Sequence, residues 1–201
     1  MTSLVFNEDI RDGIQEIANV AVGMAADNIA KSFSAFVKMP IPQVHLIESA
    51  DIQMALGSVF AGESVTAVTQ AFYANGLSGE ALLLCADANM ADLSALMGYG
   101  TDHDHKEVEL VLEMASLLNG SSLIGFCSQL DINVLLKHPQ VYGEHASLND
   151  IFSNRVFPWK KTLAIELNYG FEGYDLSCDL VLLFHEDSLP HLFEHIQFLL
   201  E

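Results

Sequence analysis

The sequence predicts an α+β fold in which long helices pack on a β-sheet, and three observations support this prediction. Segments of helical periodicity alternate with short β-rich segments, and no long Pro-, Gly- and Ser-rich linker separates them. Hydrophobic residues make up 51% of the 201 residues and charged residues 17%, which is enough for one sizeable core. The same order of elements also occurs twice. We therefore expect residues 1–201 to form one domain made of two repeats.

The first half begins with a long amphipathic helix, which we expect over residues 8–38. Pro40 and Pro42 end its apolar pattern. The apolar positions that follow a period near 3.6 are Ile10, Ile14, Ile17, Val20, Ala21 and Met24. The other elements expected in this half are a strand at 43–47, a helical turn at 51–56, strands at 65–73 and 80–85, and a helix at 90–96.

The second half follows the same order. We expect a helix over residues 106–130, a strand after Pro139, a helical turn at 147–152, strands at 162–168 and 176–184, and a helix at 190–200. Order alone is weak evidence for a duplication, because many α/β chains alternate helices and strands.

Residue types repeat between the halves at one constant offset of 97 positions, which is stronger evidence. The tripeptide Pro42-Gln43-Val44 falls on Pro139-Gln140-Val141. The other related positions are Asp12 with Glu109, Glu16 with Glu113, Ala18 with Ala115, Asn19 with Ser116, Gly23 with Gly120 and Val37 with Val134. The offset predicts two repeats, about 8–98 and 105–201, packed around a pseudo-two-fold axis.

The charge and the cysteines exclude several classes of protein. With 27 acidic and 8 basic residues, the formal net charge of −19 repels nucleic acids and the anionic inner leaflet of a membrane. Cys85, Cys127 and Cys178 are far apart and lie within apolar segments, which is typical of a reducing compartment. No signal peptide or uncharged membrane-spanning run is apparent. We therefore expect a soluble cytoplasmic protein that binds no nucleic acid and no membrane.

Three polar residues share one face of the first helix. Asp12, Glu16 and Asn19 occupy positions i, i+4 and i+7, which lie within an arc of about 60° on a helix. Such a face could simply be solvated, and an acidic residue near a helix start is favoured by the helix dipole. Pro42 follows Asn19 after 22 intervening residues.

The complete pattern, Asp12-x3-Glu16-x2-Asn19-x22-Pro42, resembles the signature of the CheC, CheX and FliY phosphatases, [Asp/Ser]-x3-Glu-x2-Asn-x22-Pro. By average residue frequencies it would arise by chance in only roughly 0.3% of chains of this length. The resemblance implies a CheC-like, pseudo-two-fold duplicated domain. It also implies a two-component signalling function: hydrolysis of the aspartyl phosphate on a CheY-type response regulator.

The resemblance also implies roles for the motif residues. Asn19 would orient the attacking water, Glu16 would engage a lysine of the regulator, and Asp12 would contact the partner. A neutral amide suits the first role, because it can hydrogen-bond to water without bringing negative charge towards a phosphoryl group. We expect no cofactor on this chain, because the Mg²⁺ would belong to the phosphorylated partner.

The second half departs from the signature. Glu109, Glu113 and Pro139 are in place, but Ser116 stands where the signature has asparagine. Its side chain is two heavy atoms shorter than that of asparagine, and Asn119, one turn on, is rotated by about 60°. We therefore predict a degenerate second site that is silent or weak.

Two other functions compete with a phosphatase. Some flagellar switch proteins have a similar fold and act as non-catalytic scaffolds. The second is a small-molecule hydrolase or metal enzyme, for which the sequence offers only the stretch Asp102-His103-Asp104-His105. Four adjacent residues cannot all converge on one ion, and we expect no metal. The sequence does not identify the regulator or the pathway, and it leaves monomer and homodimer open.

Overall fold

The computed structural model describes residues 6–39, 41–48, 50–52, 54, 63–99, 107–153 and 159–200. Helices and one antiparallel sheet make up this part of the chain, so the predicted α+β class is confirmed. The helices are α1 (Glu8–Phe33), α2 (Met90–Leu96), α3 (Glu107–Gln129), α4 (Leu148–Ser153) and α5 (Leu189–Leu200). The strands are β1 (Val37–Lys38), β2 (Gln43–Glu48), β3 (Val65–Ala74), β4 (Leu77–Ala86), β5 (Val134–Leu136), β6 (Gln140–Ala146), β7 (Lys161–Phe171) and β8 (Ser177–His185).

Helix α1 begins where the sequence predicts and ends five residues earlier than expected, at Phe33 instead of 38. At its start, the side chain of Asn7 accepts a hydrogen bond from the backbone N–H of Ile10 at 2.9 Å. At its end, Ser34 adopts the left-handed conformation, with φ 53°, which terminates the helix. The predicted length was wrong because the last two residues of the expected helix, Val37 and Lys38, form strand β1.

Most other elements lie close to their predicted positions, and α2 has the predicted bounds. The short strands β1 and β5 were not predicted, because two or three residues show no periodicity. Of the expected turn at 51–56, the helical residues described are Ile52 and Met54, and the rest lies outside the described residues. Lys106, the expected first residue of α3, also lies outside them.

The eight strands form one sheet with the order β1-β7-β8-β4-β3-β5, and all of the pairings are antiparallel. Strand β2 pairs with β7 beside β1, and β6 pairs with β3 beside β5. Strands β4 and β8 join the two halves at the centre, where Cys85 faces Cys178. All three cysteines are buried and free.

The register of the strands repeats at the offset of 97. Val37 pairs with Phe171, and the positions 97 residues away from each, Val134 and Ala74, pair with one another. Gln43 likewise pairs with Glu166, while Gln140 pairs with Thr69. The division into two repeats stays a prediction, and this register supports it.

Helices α1 and α3 pack against each other on one face of the sheet, over the main core. Gly125 lies so close to α1 that a Cβ added there would come within 3.0 Å of the carbonyl oxygen of Ala21. The opposite face carries a smaller core that includes Ile52, Phe152 and Trp159. This layering leaves the outer faces of α1 and α3 towards solvent.

Helix α3 is the only helix within the described ranges that is long and apolar enough to cross a membrane. About two thirds of its most apolar stretch is buried inside the protein. A core helix passes the same test, so this is weak evidence for a membrane segment.

Candidate functional site

The motif side chains of α1 lie on its solvent-facing surface, as the predicted helical face requires. Asp12, Glu16 and Asn19 are all exposed, while the alternate face of the helix buries Ile10, Ile14 and Ala18. Glu16 and Asn19 are one turn apart, about 4.5 Å along the helix axis. The helix therefore presents a carboxylate and a carboxamide side by side to the outside of the protein.

These polar side chains differ in whether they already have partners. Asp12 accepts a hydrogen bond from Arg11 at 2.9 Å, and Arg11 also reaches Glu8 at 3.5 Å. Within the described part of the chain, neither Glu16 nor Asn19 has a hydrogen-bond or ion-pair partner. The two groups are thus free to bind a second molecule, and Asp12 is partly neutralised by its neighbour.

A cleft of about 620 Å³ lies between the first turns of α1 and the end of α5. Its lining includes Asp9, Asp12 and Glu16 from α1, and Gln197 and Leu200 from α5. The acidic side of this cleft would favour a cationic group on whatever enters it.

Gly13 permits the close packing of α5 beside the motif. A Cβ at this position would lie 2.8 Å from Cγ2 of Ile196 and 3.5 Å from Cδ1 of Leu200. The equivalent position in the second half, Leu110, carries a large side chain that is buried. Helix α2 also contacts α3 in the second half, so the feature specific to α1 is the glycine at its contact with α5.

Pro42, the last residue of the signature, is buried and lines a different cleft together with Arg11 and Gln15. It packs beside α1 and does not line the cleft that contains Glu16. The proline therefore supports the motif helix and brings no chemical group to Asn19.

In the second half, Glu109, Glu113 and Ser116 are also exposed on their helix, but two of them already have partners. The hydroxyl of Tyr99 donates a hydrogen bond to Oε2 of Glu113 at 3.0 Å. This hydrogen bond and the carboxylate charge raise the pKa of Tyr99. The hydroxyl of Ser116 donates to the carbonyl oxygen of Leu112 at 3.0 Å. The Glu113 and Ser116 side chains of the degenerate site are thus engaged within the protein.

Asn119 does not compensate for the missing asparagine, because it is fully buried. Its Nδ2 donates to Oε1 of Gln70 at 3.1 Å, and Gln70 in turn donates to the carbonyl oxygen of Lys137 at 2.7 Å. The Oδ1 of Asn119 has no partner among the described atoms. This amide belongs to the core and cannot reach a docked protein.

No group of three or more His, Cys, Asp or Glu that could hold a metal ion occurs in the part of the chain that the structure describes. The stretch Asp102-His103-Asp104-His105 lies outside the described residues.

Sequence reasoning did not find the neighbours of the motif. Gln197 and Leu200 line its cleft, Tyr99 binds Glu113, and Gln129 donates a hydrogen bond to Sδ of Met24 at 3.6 Å. These contacts join residues far apart in the chain, so no local sequence pattern predicts them. The exposure of Val20 (41%) and Met24 (46%) was also missed, because their spacing places them near the apolar stripe.

Together, the curled antiparallel sheet and the two long helices, one of them with an exposed Glu16–Asn19 pair, define a CheC-like domain. Comparison with solved structures gives the same result. FliY from Thermotoga maritima is 20% identical and superposes with a TM-score of 0.68, covering 96% of this chain and 98% of that one. The FliM middle domain from H. pylori is 8% identical, with a TM-score of 0.64 and coverages of 94% and 99%.

A CheX–CheY–BeF3–Mg²⁺ complex from Borrelia burgdorferi also contains a similar chain. That chain is 10% identical, with a TM-score of 0.50, and the match covers 83% of this chain and 96% of that one. No protein-family model matches the sequence, and no curated protein matches it significantly. At these identities the comparisons establish the fold, and they confirm the predicted resemblance to CheC, CheX and FliY at that level.

Proposed function

We propose that this protein hydrolyses the aspartyl phosphate of a CheY-type response regulator, with Asn19 orienting the attacking water and Glu16 contacting the partner. The observation that supports the proposal is that, within the described ranges, the two key side chains of the first motif are both exposed and unpartnered, unlike their counterparts in the second half. Glu16 and Asn19 are exposed and have no partner among the described residues, whereas Glu113 and Ser116 are both engaged.

The reaction requires little chemistry from this chain. The oxygen of a water attacks phosphorus, the bond from phosphorus to the aspartyl oxygen breaks, and the regulator carboxylate and inorganic phosphate are released. The Mg²⁺ required for this reaction is expected on the regulator. Asn19 holds the water in line with the breaking bond, and such positioning can lower the barrier by several kcal/mol, on the order of 10²-fold or more in rate.

Glu16 contributes by docking. It lies one turn before Asn19 on the same face, so a cation on the partner that pairs with Glu16 would bring the neighbouring phosphoryl group towards the amide. Asp12 and Asp9 in the same cleft extend the negative surface. This arrangement suits a regulator whose phosphorylated residue lies beside a lysine.

A non-catalytic scaffold is the second candidate, and the likeness to a FliM middle domain favours it. FliM domains belong to the flagellar switch, and a scaffold would use the same surface to bind without hydrolysis. The presence of Asn19 in the water-orienting position of the signature favours the phosphatase.

The CheX–CheY complex supports a CheY-like partner, since one protein of this fold is bound to a receiver there. We further propose that the protein acts in the cytoplasm, where such regulators are phosphorylated. In this proposal Glu16 and Asn19 lie on one helix of one chain, so both a monomer and a homodimer are compatible with activity.

The experiment that tests the function follows the loss of phosphate from candidate regulators of the same organism, labelled on aspartate, with and without the purified protein. We expect catalytic amounts of the protein to accelerate the loss for at least one regulator. Faster loss with wild type but not with Asn19→Ala supports the phosphatase. Binding of a BeF3-activated regulator without any change in the rate would instead establish the scaffold.

A further inference from the structure

We propose that the exposed apolar end of α5, with the adjoining pocket at the end of α3, is the docking surface for the regulator, and that it sets affinity while Asn19 sets the rate. This inference rests on the proposed function. It assigns a binding role to residues that are outside the signature.

The end of α5 is unusually apolar for a surface. Phe198 is 78% exposed, Leu199 52% and Leu200 54%, although the net charge of the protein is −19. A monomeric soluble protein rarely leaves large neighbouring apolar side chains uncovered without a binding function.

This surface is continuous with the motif helix. Leu200 lines the cleft that contains Asp12 and Glu16, while Phe198 and Leu199 line a second pocket of about 460 Å³ on the other side of α5. That second pocket also includes Gln129, whose side chain contacts Met24 of α1. A protein that reaches Glu16 and Asn19 therefore approaches the end of α5 as well.

The exposed residues of α1 extend the same surface. Val20 follows Asn19 directly, and Met24 lies one turn further on. Methionine adapts its shape to different neighbours, which suits a transient interface. The polar pair is thus bordered on one side by apolar side chains.

Within the described ranges, the second motif helix, α3, has no equivalent of this surface beside it, although α2 packs against it. Helix α2, the counterpart of α5, ends at Leu96 and is followed by Gly98 with a φ of 80°, whereas α5 continues to Leu200. The motif helix that keeps the asparagine, α1, is therefore also the one that packs beside the longer of these two helices. This coincidence favours a common partner for both features.

The charges around the apolar surface indicate the chemistry of that partner. Asp131 and Glu194 line the pocket beside Phe198, and Glu16 lies beside Leu200. A receiver surface with an apolar side chain flanked by lysine or arginine complements this arrangement. A second copy of this chain would bring the same acidic groups together, which opposes self-association through this surface.

The test measures binding and catalysis separately for two sets of variants. The probe is a CheY-type receiver from the same organism, activated with BeF3 and Mg²⁺ for titrations and phosphorylated for kinetics. We expect Phe198→Ala with Leu199→Ala to raise Kd and KM at least tenfold and to change kcat less than twofold. We expect Asn19→Ala to give the opposite pattern.

Phe36→Ala is the matched control. Phe36 is 77% exposed, like Phe198, but lies beyond the other end of α1. It should leave Kd, KM and kcat unchanged. Thermal unfolding of all variants verifies that they are folded.

An unchanged Kd and KM in the α5 variant, with wild type active, would overturn the docking inference and leave the phosphatase intact. Binding that depends on Phe198 and Leu199 without any hydrolysis would remove the phosphatase and keep the docking surface. Loss of a dimer in the α5 variant, seen by light scattering, would identify a second copy as the occupant and overturn the inference. Failure of wild type to bind any receiver would overturn both proposals.

Discussion

The hydroxyl of Tyr99 lies 3.0 Å from Oε2 of Glu113 and holds this carboxylate within the protein, whereas Glu16, its counterpart 97 residues earlier, has no such partner among the described residues. The two motif helices therefore present chemically different surfaces. This difference leads to predictions for each half.

We expect Asn19→Ala to reduce the acceleration of dephosphorylation on the order of 10²-fold, because it removes the group that positions the water. The side chain is exposed, so the free energy of unfolding should change by no more than about 0.5 kcal/mol. Rate measurements and thermal unfolding check both parts. Ser116→Ala is the matched control and should retain the wild-type rate, and an Asn19→Ala protein with full activity would remove Asn19 from the mechanism.

Glu16→Ala combined with Asn19→Ala should abolish activity, since it removes both the docking carboxylate and the amide. Glu113→Ala alone should retain at least half of the wild-type rate, because Glu113 is already bound to Tyr99. The measurement is the dephosphorylation rate of one regulator with each variant. Equal damage from Glu113→Ala in a folded protein would contradict a single working site in the first half.

Restoring the second site should require two changes. In an Asn19→Ala background, we expect Ser116→Asn alone to give little activity, since Tyr99 still holds Glu113. Adding Tyr99→Phe removes that hydrogen bond and should allow measurable activity, because position 116 is exposed. If the triple variant is no more active than Asn19→Ala, the second helix lacks a docking surface even with the amide restored.

The buried pair Gln70–Asn119 takes the place of an apolar pair, since the positions offset by 97 are Leu167 and Val22. Gln70→Leu should destabilise the protein by about 1–3 kcal/mol, because it leaves the amide of Asn119 and the carbonyl of Lys137 unsatisfied. The double variant Gln70→Leu, Asn119→Val should lose less free energy of unfolding than the sum of the losses in the two single variants. Urea unfolding of the wild type, the two single variants and the double variant measures the coupling between the two side chains. Strictly additive losses of unfolding free energy would contradict this coupling.

The stability of the protein should depend on pH through His145. Its Nδ1 lies 3.1 Å from Oδ2 of Asp87, and this hydrogen bond, with the nearby charges of Asp87, Glu107 and Glu144, raises the pKa of His145. A raised pKa in the folded state adds stability below the unfolded value of about 6.5, and this stability is lost as the pH rises through the folded pKa.

His145→Gln should therefore lower the melting temperature more at about pH 5.5 than at about pH 8.5, because the stability that the raised pKa adds is lost as the pH rises. The measurement is thermal unfolding of both proteins across this range. His138→Gln is the control, since His138 is exposed and has no ion-pair partner within the described ranges. A larger decrease in melting temperature for His145→Gln at high pH would contradict the predicted direction of the pH dependence.

The fold and the motif face were predictable from the sequence because both depend on local periodicity. The spacing of Asp12, Glu16 and Asn19 fixes a shared helical face wherever the helix packs. The tertiary neighbours of the two motif helices were not predictable, because no local pattern relates Tyr99 to Glu113, Gln129 to Met24, or Leu200 to the cleft that contains Glu16. The helix end was missed because the left-handed conformation of Ser34 has no strong sequence signal when the residue is not glycine.

The exchange of edge strands between the halves has a consequence for folding. Strands β1 and β2 pair with β7, and β5 and β6 pair with β3, so each half completes the sheet of the other. Neither half then has all of its backbone partners on its own, and the described residues should melt in one cooperative transition. The helix that carries Asn19 therefore requires the second half in order to fold, even if the second half has no catalytic activity of its own.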